Sequence, residues 1–251
     1  MSDSTGRVLV WDLPVRIFHW LLAGSFLAAW VIAVSFDDES RVFVLHSALG
    51  IFIGALVVFR LVWGVIGTRH ARFSGFAYRP ADLMAYLKAV LQGPAREFVG
   101  HNPASAYATY AMLVLLAGLI ATGLMLGSGA EFVEEIHEVL AHSMLAVVVV
   151  HVLGVALHTV RQRDPIVLGM VDGHKRGAAS DAIRSARPAS ALLLGVLLVW
   201  WGSGLWRGYD PAARTLTLPV LGATVSVGER EHAAGEGFHG EHDDHDDDDD
   251  D

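Results

Sequence analysis

The sequence predicts an all-α integral membrane protein, a four-helix transmembrane bundle followed by a fifth transmembrane helix and a disordered acidic tail. Three observations lead there. Of its 251 residues 53% are hydrophobic and only 18% charged, too apolar a balance for an ordinary soluble domain. Runs of roughly 20 apolar residues, enough to cross about 30 Å of hydrocarbon, fall at about 15–36, 42–66, 105–127, 136–159 and 188–206. Basic residues are concentrated in alternate connections. Residues 67–104 carry Arg69, Arg72, Arg79, Lys88 and Arg96, and residues 160–187 carry Arg161, Arg163, Lys175, Arg176, Arg184 and Arg187. The other two connections hold Asp37, Asp38 and Glu39 against Arg41, and Glu131, Glu134 and Glu135 with no base.

Each span must satisfy its own backbone inside lipid, so all five are read as helices. Asp12 and Pro14 form an N-cap and an early-turn proline that open the first. Its apolar stretch is too long for a signal h-region and lacks a small-residue cleavage site, so it is expected to remain in the mature protein. Trp11 and Trp20 fall near one membrane interface. In the first long basic connection, PADLMAYLKAVLQ sets Leu83, Leu87, Val90 and Leu91 at helical spacing. It reads as a short helix that lies on the membrane or covers that end of the bundle. The distribution of Lys and Arg puts the N-terminus in the cytoplasm and the C-terminal tail in the periplasm.

Histidines inside the apolar spans carry the chemistry, because an ionisable side chain in the bilayer core is costly unless it has a partner. His137 and His151 are fourteen residues apart, nearly four turns of helix, so they face the same way about 21 Å apart along the axis. His46, near the outer start of the second span, shares the depth of His137. His19, near the inner start of the first, lies within reach of the level of His151. Two haems stacked across the bilayer fit this spacing, one between His46 and His137 and the other between His19 and His151. The absence of cysteine excludes iron–sulfur ligation and covalent c-type attachment, so any haem is held noncovalently. Gly50 and Gly54, one and two turns from His46, leave room for a flat macrocycle. Arg16, Arg41 and Arg60 fall near the expected haem edges and could hold propionates, although Arg60 could equally snorkel to the inner interface. His158 keeps the face of His151 and is the competing inner ligand. His142 lies about 140° from His137 and reads as a polar packing residue. His70, His101 and His174 fall in polar loops and read as solvated.

Four stretches in order resemble the bacterial cytochrome b561 family, which includes the di-haem b-type cytochrome subunit of nickel–iron hydrogenases. They are VWDLPVRIFHW from residue 10, LHSALGIFIGALVVFRLVWG from 45, GHNPASA from 100, and IHEVLAHSMLAVVVVH from 136 with the later MVDGHKR. The resemblance implies a four-helix domain over residues 8–177 with two haem b groups. By position, their iron ligands fall on His19, His46, His137 and His151. It also implies electron exchange between membrane quinone and a redox partner, a c-type cytochrome or hydrogenase-like oxidoreductase, in the respiratory chain of a bacterial inner membrane. The helix at 188–206 and the segment at 207–251 lie outside the resemblance.

In that last segment TLTLPVLGATVSV, residues 215–227, alternates as a hairpin would. The His- and Asp-rich stretch after it is expected to be a solvated tail, with weak metal binding through His239, His242 and His245 as the alternative. Bis-histidine haems are six-coordinate, so the residues favour an electron carrier or a cytochrome subunit of an oxidoreductase. The competing readings are a superoxide-to-quinone oxidase and a non-haem membrane protein that handles metal ions or protons. No nucleic-acid partner is expected.

Overall fold

A computed structural model of the chain describes residues 6–93, 98–126, 131–162 and 166–227. Arg96, Arg163 and the His- and Asp-rich tail lie outside the described residues. In chain order the elements are β1 (Gly6–Leu9), α1 (Leu13–Ser35), α2 (Val44–Ile66), α3 (Pro80–Gln92), α4 (Pro103–Met125), α5 (Glu131–Gln162), α6 (Ile166–Asp172), β2 (His174–Gly177), α7 (Pro188–Gly208), β3 (Tyr209–Asp210), β4 (Thr215–Thr217) and β5 (Thr224–Ser226). Helices α1, α2, α4, α5 and α7 are long and apolar enough to cross a membrane. Their outer faces carry exposed Val58, Val62, Val114, Val150 and Leu192, apolar surface that lipid rather than water would cover.

Two helix pairs, α1 with α2 and α4 with α5, are joined through α2 and α4, while α1 and α5 do not pack along one another among the described residues. The fifth helix packs on the α1–α2 side, where Leu194 and Leu198 meet Phe18 and Leu56. Below, the end that carries β1, α3 and α6 is called the basic end, and its opposite the acidic end.

Buried Asp12 organises the basic end. Its carboxylate caps α1 by accepting from the Val15 N–H at 2.9 Å, and it also accepts from Thr68 Oγ1 at 2.6 Å and Trp63 Nε1 at 3.1 Å. A carboxylate taken out of water is stable only when hydrogen-bonded in this way, and here the bonds fasten the start of α1 to the end of α2. Sequence reading missed the two-stranded sheet alongside. In it β1 pairs antiparallel with β2, from Gly6 opposite Gly177 to Leu9 opposite His174, and the Arg7–Asp172 ion pair flanks it. Gly173 turns the chain into β2 at φ +85°, and its carbonyl accepts from the Val10 and Trp11 amides. A Cβ there would lie 2.8 Å from the Trp11 carbonyl oxygen, so both backbone conformation and space require glycine.

At the acidic end β4 and β5 form the expected hairpin over residues 215–227, with β3 added on its other edge. Leu216, Leu218 and Val227 bury against Val44 of α2 and Leu205 of α7. The amphipathic α3 also forms where the sequence predicts it. Leu83 and Tyr86 turn inward, while Met84, Leu87 and Leu91 stay exposed.

Candidate haem centres

At the acidic end α2 and α5 bring His46 and His137 together, their ring centres 6.2 Å apart and their planes at 71°. His46 Nδ1 donates to the Ala29 carbonyl of α1 at 2.9 Å. A carbonyl only accepts, so the proton is on Nδ1 and the Nε2 lone pair is left for a metal. His137 reaches the same state through a hydroxyl. Thr122 Oγ1 of α4 lies 2.9 Å from the Gly118 carbonyl and 2.8 Å from His137 Nδ1; with its one proton on the carbonyl, it accepts from Nδ1. Both are the orienting hydrogen bonds that metal-bound imidazoles require. Two metal–nitrogen bonds of about 2 Å, plus the offset from nitrogen to ring centre on each side, amount to about 6 Å, so the pair has the spacing for one iron between them.

A Cβ on Gly118 would lie 2.9 Å from Leu140, and one on Gly123 3.5 Å from His137, so α4 and α5 pack closely beside His137. Gly50 has open space at its Cβ position, as a flat group would need, whereas a Cβ on Gly54 would meet Ile120 at 3.7 Å. Arg41 is exposed on the α1–α2 connection.

His19 of α1 and His151 of α5 belong to the basic end, each partly buried. His19 is ten residues from Ala29, about 15 Å along α1, so this pair lies well below the level of His46. Between the levels is a dry layer of Ile53, Val57, Leu116 and Met144. Met144 lies midway between His137 and His151 on the stripe of α5 that faces the bundle, and His158 continues that stripe.

The basic end also concentrates polar atoms that are buried without a hydrogen bond: Arg16 Nε, His19 Nδ1, Arg60 Nη1, His101 Nδ1 and Thr159 Oγ1. Each such atom costs about 1–3 kcal/mol, and a bound polar or anionic group would relieve that cost. Arg60 does not snorkel. It is 3% exposed, its guanidinium 4.7 Å from the Phe73 ring centre and 5.9 Å from that of Phe76. Arg16 donates through Nη2 to the Val171 carbonyl and keeps Nε for another acceptor. These donors fit haem carboxylates.

Of the three loop histidines expected to be solvated, His101 and His70 are built into the structure, while the His174 side chain stays 42% exposed. His101 lies between Phe76 and Trp11, with ring centres at 4.1 and 4.9 Å, and its carbonyl accepts from Tyr78 Oη at 2.9 Å. Burial pushes its imidazole down to about 3, helped by the charges of Arg60 and Lys175 and by nearby His70 and His151. His70 donates through Nε2 to the Asp181 carbonyl at 2.9 Å, and burial lowers it too. His174 Nδ1 bonds the Asp172 carbonyl at 2.8 Å. Conversely His142, read as a polar packing residue, is exposed beside Glu138. The angular argument put it off the ligand stripe correctly, but that direction leads out of the bundle.

A family model described as prokaryotic cytochrome b561 matches residues 10–173. The chain belongs to the prokaryotic cytochrome b561 family. Among curated relatives are proteins named probable Ni/Fe-hydrogenase B-type cytochrome subunit. The one from Rhodobacter capsulatus is 24% identical, with the match covering 67% of this chain and 81% of that one. The one from Bradyrhizobium diazoefficiens is also 24% identical, over 69% and 88%. A third, from Rhizobium leguminosarum, is 22% identical, over 67% and 88%. No solved structure matches. This member of the family is therefore a multi-pass membrane protein of electron transport, and the family holds haem b. The matched segment ends just before β2, so α7 and the acidic-end hairpin lie outside it.

Proposed function

We propose that this protein carries electrons across the inner membrane through two haem b groups, one held by His46 and His137 and the other by His19 and His151. The observation that carries this reading is the pairing of the two imidazoles at the acidic end. Ala29 and Thr122 hold both rings through Nδ1, which leaves Nε2 for a metal, with the ring centres at the spacing for one iron. Haem held by these imidazoles would supply a one-electron couple for electron transfer and would not need to bind substrate. The chain's own work is orientation and exclusion of water. Thr122 and Ala29 fix the acidic-end ligands, Arg16 and Arg60 receive propionates at the basic end, and the layer around Met144 keeps the space between the levels apolar. Residues 8–177 form the haem domain on this reading, with α7 as an added span.

The basic end is cytoplasmic and the acidic end periplasmic, following the Lys and Arg distribution. Electrons pass between the quinone pool and an oxidoreductase. The hydrogenase-subunit names of the relatives favour an enzyme partner of that type, and a c-type cytochrome is the other partner to test. Purified haem-loaded protein mixed with a quinol analogue should show haem b absorbance changes faster than the uncatalysed control. Absence of reduction by any quinol tried would replace the quinone link with a protein-to-protein relay.

A further inference from the structure

The GHNPASA segment at the basic end is built to hold one histidine in place. Gly100 lets the chain approach His70 closely, since a Cβ there would lie 2.9 Å from His70 Nδ1. Asn102 caps α4 through Oδ1, 2.8 Å from the Ser105 amide, Pro103 occupies the first turn, and Ala106 is wholly buried. The residue held between these anchors is His101. Its ring is wedged between Trp11 of the β1–α1 corner and Phe76, and its carbonyl is tied to Tyr78. Phe76 also lies beside the Arg60 guanidinium. Two ring and guanidinium nitrogens, His101 Nδ1 and Arg60 Nη1, are thus buried around one aromatic residue with no acceptor. Nitrogen donors immobilised this way, one of them cationic, suit a carboxylate.

We propose that His101 is a positioning residue for the basic-end haem, donating Nδ1–H to a haem carboxylate that Arg60 also binds. The proposal rests on the assignment of a haem to His19 and His151. The hydrogen bond offsets negative charge near the iron and so favours its reduced form.

The test is a redox titration of the haem-loaded protein carrying His101→Phe, which keeps a ring in the aromatic slot but has no donor, and His101→Asn, which restores a donor. His101→Phe should lower the reduced-to-oxidised ratio of one haem about tenfold at fixed potential, about 59 mV for a one-electron couple. The other haem should be unchanged, and His101→Asn should recover most of the shift. A purely structural role would instead lower the content of haem, measured as pyridine haemochrome, or move the potential equally in both variants. Either result overturns the proposal, as does an unshifted potential in His101→Phe. A protein in which His19→Ala loses no haem defeats the underlying site assignment, and that outcome is read separately.

Discussion

Thr122 shows how much one hydroxyl determines. Its hydroxyl is the hydrogen-bond partner of His137 Nδ1, so on the proposed assignment Thr122→Val, similar in volume but without that partner, should weaken binding of the acidic-end haem about 10- to 100-fold. Titrating haem into apoprotein measures this, and Thr122→Ser should bind normally. Equal affinity for Val and Ser would remove Thr122 from the site. Asp12 is the residue on which the basic end depends, because its replacement by Ala strands the Val15, Trp63 and Thr68 donors. At about 1 kcal/mol or more per stranded donor, the expected loss is about 3 kcal/mol or more, read from denaturant unfolding in detergent. The Asp12 cap was legible because a side-chain acceptor two residues before proline has a local signature. Thr122 was not, because a threonine in an apolar helix ordinarily bonds its own preceding turn, and only the fold reveals that its lone pair meets a histidine. His101 was misread for the opposite reason. Its polar loop suggested solvent, while the glycine before it and the Asn-Pro cap after it are signs of a tightly held segment.

At the scale of elements, the long helices and α3 follow directly from apolar run length and spacing, and the stripe of α5 carrying His137 and His151 follows from helical geometry. The pairing of β1 with β2 did not, because two strands of four residues each, separated by more than 160 positions, leave no periodicity to read. That sheet and the loops beside it respond to acid through His70. Burial lowers its folded-state value below 6.5, so below about that pH the unfolded chain binds the extra proton. Stability contributed here is complete above that pH and declines as pH falls through it. Amide exchange in residues 6–9 and 174–177, corrected for intrinsic rates, should gain less protection at about pH 5 than at about pH 7.5. Constant protection would mean the cap does not sense His70. The hairpin at the acidic end is an element the sequence predicted, and its inward residues have a clear cost. Leu216→Ala should destabilise the α2–α7 end by about 2–5 kcal/mol, measured by thermal unfolding, with both haem signals retained below the transition.

For the molecule as a whole, five spans, their connections and the family could be read from hydrophobic run length, charge distribution and four ordered stretches. The position of α7 could not, because a span with no chemistry-bearing residue carries no information about which helix pair it joins. It lies on the α1–α2 side, and all four proposed ligands are on α1, α2 and α5. Truncation after Gly228 should therefore leave both haems intact. If the carboxylates of the tail steer a cationic redox partner, the same truncation should slow electron exchange at low salt, with the difference vanishing as salt screens the charges. An unchanged low-salt rate would assign the tail no role in docking. The central claim is that four histidines hold two haems at two depths, and haem content measures it most directly. Pyridine haemochrome assay of the purified protein should give two haem b per chain, falling to about one in His46→Ala or His137→Ala with the basic-end signal retained, and to about one in His19→Ala or His151→Ala with the acidic-end signal retained. One haem or none in the unaltered protein would contradict the account, as would loss of the basic-end haem on changing His158 but not His151.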